Sequence, residues 1–180
     1  MRKTLLAALI VLTSQQAVAN QDQRVTMSNF NYDYVEARIG ASPLTFGAAF
    51  STSVHPNAHF IASADSKFEG DFDFTGGFGF HAPINNWADI TGEMLAHITD
   101  NGNHHKTDTG MEVNIGIRQW LGPQFEVGGE TGYLSVGDLD QWMGSVYGRF
   151  HSTELFSLGV EARFNHIYDE QLMFTARFAF

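Results

Sequence analysis

Glu36, Arg38, Glu93, Glu112, Arg118, Glu130, Arg149, Glu161, Arg163 and Arg177 are the residues of this chain best equipped for chemistry. Each stands in a stretch where apolar and polar residues alternate. Each takes the polar parity, so all face one side of their segments. Carboxylates and guanidinium groups held on one side of a sheet have two uses. They line a narrow polar pore or proton-linked gate, or they neutralise one another as an ion-paired plug. Asp65, Asp73, Asp89 and Glu126 share that side, so acids outnumber bases there and a passage would prefer cations. Lys67 is expected on the same side.

Other groups carry weaker signals. His104-His105, with Asp100 and Asp108 nearby, offers imidazole and carboxylate ligands of the kind that hold Zn or Cu. No fixed ligand spacing accompanies them, and no metal site is expected. His81, His97 and His151 fall on the charged side, where they are expected to hydrogen-bond within the charge set. Glu69, Asp71, Asp138, Asp140, Asp169 and Glu170 cluster at segment ends, against Lys106 alone. Such a rim repels sulfated glycans and phosphates unless divalent cations bridge them. No catalytic residue and no cofactor is assigned from these groups.

The elements that must position the charges are strands. Val35, Ala37 and Ile39 share a face, as do Leu44, Phe46, Ala48 and Phe50. Phe60, Ala62, Ala64 and Phe68 follow, then Phe72, Phe74, Phe78 and Phe80. Later rows run through Ile90 to Ile98, Met111 to Ile117, Phe125 to Tyr133, Trp142 to Phe150 and Phe156 to Phe164. The last is Leu172, Phe174, Ala176, Phe178 and Phe180. This period-two pattern means half-buried strands. It predicts about ten strands of roughly 9–12 residues, the length a tilted strand needs to cross a bilayer, with eight as the alternative. An Arg turned toward lipid near the midplane costs about 2–4 kcal/mol, so the apolar rows must face lipid and the charges must face inward. A soluble barrel or sandwich would reverse that arrangement.

Tight turns are expected at His55-Pro56-Asn57, Ile84-Asn85-Asn86, Gly122-Pro123 and Ser152-Thr153-Glu154, on the periplasmic side. The external connections are expected at Ala41-Ser42-Pro43, Glu69-Gly70-Asp71, Asp100 to Asp108, Gly137 to Asp140 and Asp169-Glu170. Only the third is long enough to act as a flap.

Composition fixes the compartment. Met1-Arg2-Lys3, the apolar run Leu5 to Leu12 and Ala17-Val18-Ala19 read as a secretory signal peptide over 1–19. Residues 20–29 form a polar periplasmic lead-in, and 30–180 form the barrel domain. Removing Arg2 and Lys3 with the leader takes the formal charge from −10 to −12, which argues against nucleic acid as a partner. There is no Cys, so disulfides do not stabilise the fold. Closing a sheet into a barrel supplies stability instead, by pairing every strand edge.

The opening Tyr32-Asp33-Tyr34-Val35-Glu36-Ala37-Arg38-Ile39-Gly40 and the ending Thr175-Ala176-Arg177-Phe178-Ala179-Phe180 resemble the small proteobacterial outer-membrane β-barrels of the porin-like or OmpA/OmpX-like kind. The resemblance implies an all-β, closed, antiparallel up-and-down transmembrane barrel. Members of such families include structural barrels, adhesins, narrow channels and a few lipid-modifying enzymes; the apolar alternation over a charged interior makes a non-enzymatic structural or narrow-channel role in the outer membrane the expectation. Phe174, Phe178 and Phe180 would then serve as the signal read by the barrel-assembly machinery, and outer-membrane lipids and lipopolysaccharide would be neighbours. Lipid A deacylases among such barrels carry a His-x-Ser pair on a late strand. Here His166 is followed two residues on by Tyr168, so the nucleophilic hydroxyl is missing. Adhesion through the external loops is the other alternative.

Overall fold

The computed structural model describes residues 28–100 and 107–180. The expected leader, most of the lead-in, and His104-His105 with Lys106 lie outside the described residues. Ten strands follow in order: β1 (Tyr34–Ala41), β2 (Thr45–His55), β3 (Ala58–Ser66), β4 (Phe72–Asn85), β5 (Ala88–Asp100), β6 (Thr107–Trp120), β7 (Phe125–Val136), β8 (Leu139–His151), β9 (Phe156–His166) and β10 (Asp169–Ala179). Each pairs antiparallel with its sequence neighbours, and β1 pairs with β10, so the sheet closes. The seam runs from Tyr34↔Ala179 to Ala41↔Leu172. We call the end where β1 begins and β10 finishes the near end, and the opposite end the far end.

The side chains sort as parity demands. Val35, Ile39, Phe74, Phe78, Ile90, Met94, Val113, Ile115, Val146, Leu158, Phe174 and Phe178 all stand exposed on the outer wall. Glu36, Arg38, Asp65, Asp73, Glu112, Arg118, Glu126 and Arg149 are buried inside. A water-soluble domain does not expose so continuous an apolar band. Lipid satisfies it, because backbone polar groups are paired around the closed sheet. Outer aromatic contacts such as Tyr133 against Trp142 (5.8 Å, T-shaped) add to that wall.

Two local expectations are corrected. β3 ends at Ser66, so Lys67 and Phe68 are turn residues, not wall residues. Phe68 takes φ 62 and turns outward beside Phe46, and Lys67 sits over the Tyr168 ring. Asp71 causes the change: its carboxylate accepts the backbone N–H groups of Lys67 (3.0 Å) and Glu69 (3.1 Å), which folds the chain before the strand pattern runs out. The last far-end turn is Ile167-Tyr168, two residues before the expected Asp169-Glu170, which belong to β10. There Asn165 and Asp169 adopt positive φ and the β9–β10 register shifts.

Candidate functional site: a charged chamber with two closures

Glu36, Arg38, Glu93, Glu112, Arg118, Glu130, Arg149, Glu161, Arg163 and Arg177 all line one interior cavity of about 190 Å³. They come from β1, β5, β6, β7, β8, β9 and β10, so the chamber exists only when the barrel is closed. Small residues make room for large ones. A Cβ on Gly47 would overlap the Asp65 carboxylate, and one on Gly128 would meet the Tyr147 ring at 2.5 Å.

The charges form separate sets. Toward the near end, Glu36 accepts from Arg149 Nη2 (2.9 Å) and Arg177 Nε (2.8 Å). Beside it Glu126, fully buried, accepts from Arg118 Nε (2.9 Å) and the Tyr147 hydroxyl (2.8 Å), and pairs with His151 Nε2 (3.0 Å). Toward the far end Arg38 pairs with Asp65 at 2.7 Å and Arg163 with Glu161 at 3.2 Å. His97 bridges Asp73 (3.0 Å) and Glu112 (3.2 Å), and the Asn114 amide donates to Glu112 (2.8 Å). His81 lies inside as well, its Nδ1 3.3 Å from that of His59. Among the described residues, no cationic side chain pairs with Glu93 or Glu130 within ion-pair distance. Among the described residues, no group of three His, Asp or Glu side chains converges to hold a metal.

Each end of the chamber has its own closure. At the near end, Ser28 to Asp33 fold back into the mouth. The Tyr32 ring stacks on His81 at 3.7 Å and under the Arg118 guanidinium at 4.7 Å, and its hydroxyl donates to Asp89 at 2.9 Å. Phe30 stacks on Trp120 at 5.4 Å, and Ser28 also donates to Asp89. Ser51 Oγ holds the Tyr32 carbonyl at 2.6 Å. Burial holds the Tyr32 phenol proton well above its usual range, and the Asp89 carboxylate adds to the effect against the opposing pull of Arg118. Tyr32 therefore stays a neutral donor.

At the far end the closure is apolar. Leu134, Val136 and Met143 are buried together, with Leu139 and Ile167 packed on them. Met173, which pairs with Gly40 at the β1–β10 seam, is fully buried as well, its sulfur 4.0 Å from Thr45 Oγ1. Gln171 ties this level down by donating to Thr45 Oγ1 (2.8 Å) and the Pro43 carbonyl (2.7 Å).

Sequence reasoning placed the charge set but missed both closures. Phe30, Tyr32 and Tyr34 form a period-two aromatic row just before the first strand, and that row was the available signal. For the far closure the signal was apolar residues of inward parity, Leu134, Met143 and Met173, where polar ones were expected.

No family profile matches the chain, and no curated protein matches it. Among solved structures, a KdgM porin in complex with disordered oligogalacturonate superposes with a TM-score of 0.53 at 9% identity, over 82% of this chain and 99% of that one. The KdgM porin alone gives the same values. A NanC porin reaches 0.47 at 6% identity, over 82% of this chain and 98% of that one. At such identities the likeness is one of fold. The chain is an all-β, antiparallel, closed barrel of ten strands, similar in fold to the KdgM porin.

Proposed function

We propose that this protein is a non-enzymatic integral outer-membrane barrel whose charged lumen is a narrow channel, closed at rest. The observation that carries the reading is the charged interior: guanidinium and carboxylate groups surround a cavity where a structural core would place packed apolar residues. Both closures are thin. The near one is a single folded-back segment, and the far one a small apolar cluster that excludes water and ions. The near vestibule, about 490 Å³, shares Tyr34, Arg118 and Arg177 with the chamber, so those residues form the constriction between them. Carboxylates exceed guanidinium groups beyond it, which favours cations.

Planar-bilayer recording tests the reading. The intact barrel is expected to stay almost silent at low voltage. Replacing Phe30, Tyr32, Leu134 and Met143 by Ser, to free both mouths, is expected to give discrete cation-preferring steps. A folded variant of this kind that never conducts at any voltage would leave the barrel a purely structural one.

A further inference from the structure

We infer that the inner chamber is a binding site for a small zwitterion, with Arg149 receiving its carboxylate and Glu93 and Glu130 its ammonium group. The inference deepens the channel reading and rests on it for the solute's way in.

Arg149 is 5% exposed, yet only its Nη2 is engaged, by Glu36. Its Nε and Nη1 are buried and meet no acceptor. Glu36 already accepts from Arg177, so one carboxylate faces two guanidinium groups. A buried guanidinium with unpaired N–H groups is a costly arrangement, and a carboxylate oxygen brought to one of them relieves it with a charge-assisted hydrogen bond.

Further along the lumen the imbalance has the opposite sign. Among the described residues, Glu93 accepts only the Asn114 amide, at 3.4 Å, and Glu130 only the Ser145 hydroxyl, also at 3.4 Å. Both line the same chamber as Arg149. Glu130 pairs across the ladder with Ser145, four residues before Arg149 on β8, so the two backbone positions are roughly 13 Å apart along the strand at about 3.3 Å per residue. Both side chains reach into the chamber across that span. A solute with one charge satisfies one subsite and leaves the other unpaired. One with both charges, separated by a short methylene chain, satisfies both. The chamber volume of about 190 Å³ suits such a molecule. A bare metal ion finds no set of three converging His, Asp or Glu side chains among the described residues.

The test uses the detergent-purified full-length barrel and titration calorimetry. The probes are glycine, β-alanine and γ-aminobutyrate, with acetate and methylammonium as single-charge controls. The expected result is saturable binding of at least one ω-amino acid, at least about tenfold tighter than either control. Glu130→Gln and Arg149→Gln should each weaken it by about tenfold or more. Heat-dependent gel mobility checks that each variant is folded. If Arg149→Gln fails to fold, Arg149→Lys and Glu93→Gln replace it, and both should weaken binding. No binding, equal binding of the controls, or binding indifferent to the folded variants overturns the assignment. A barrel that conducts but ignores these solutes loses the chamber site and keeps the channel. One that binds them but never conducts loses the channel and keeps the site.

Discussion

Glu126 is the residue on which the near-end charge network turns. Three groups address it, Arg118, Tyr147 and His151, and none of its surface reaches solvent. Glu126→Ala strands the Arg118 guanidinium in a buried setting, a change that costs about 3–5 kcal/mol when one partner of a buried pair is removed. Urea unfolding in lipid vesicles should register that loss, and Glu126→Gln, which keeps an acceptor, should lose less. Asp71 gives a pH signature outside the membrane-crossing strands. Burial pushes its carboxyl upward, but the Lys67 N–H, the Tyr168 hydroxyl and the Glu69 N–H outweigh burial and hold it below the usual range. A carboxyl depressed in the folded state stabilises the β3–β4 turn fully above the unfolded value of about 3.9 and loses that contribution as pH falls through the folded value. The protection of the Lys67 amide, taken against its intrinsic exchange rate at each pH, should therefore fall below about pH 4, and Asp71→Asn should remove that fall. At this scale the sequence revealed which side each charge takes and not which partner. Arg149 meets Glu36 across 113 positions, and only strand tilt and register decide such a meeting.

At the scale of elements, alternation gave ten strands because each wall residue answers to lipid on one side and to charge on the other. It failed where a single side chain redirected the backbone. Asp71 capping its turn and the register shift before Gln171 both act within a few residues, and no periodicity records them. The near-mouth segment is the element with most to reveal. Tyr32→Ala removes a stack on His81, the contact under Arg118 and a bond to Asp89, whose other oxygen already lacks a partner. The expected outcome is a loss of about 2–4 kcal/mol of local stability, toward the lower part of the range for aromatic-to-Ala changes, since Ser28 still donates to Asp89. Protease susceptibility at Ser28 to Asp33 should rise while the strands stay protected. On the wall, Ile115 stands exposed in mid-strand, and Ile115→Arg should cost about 2–4 kcal/mol in bilayer-folding titrations. The neighbouring inward position Asn114 should tolerate a charge far better.

At the scale of the whole molecule, the closed sheet does what no single element could. Ten amphipathic strands of 8 to 14 residues each have one face that water would reject and one that lipid would reject. Closure turns the two incompatible faces into an outside and an inside. The overall architecture was thus the most legible part of the sequence, since it follows from the parity of Glu36, Arg118, Glu161 and their neighbours. The closures were the least legible, because a folded-back aromatic segment and an apolar cluster at one end break the parity rule that made the rest readable.

The β1–β10 seam has a temporal meaning. Tyr34 finds Ala179 only after every intervening residue has been delivered, so the final ladder is the longest-range event the chain must complete. Until then β1 presents a raw hydrogen-bonding edge that invites any stray strand. Removing Gln171–Phe180 should yield aggregates and no protease-resistant core, whereas a chaperone that shields the first hairpin should rescue slow assembly of the intact chain. For this protein, arriving safely is a matter of waiting with one edge covered.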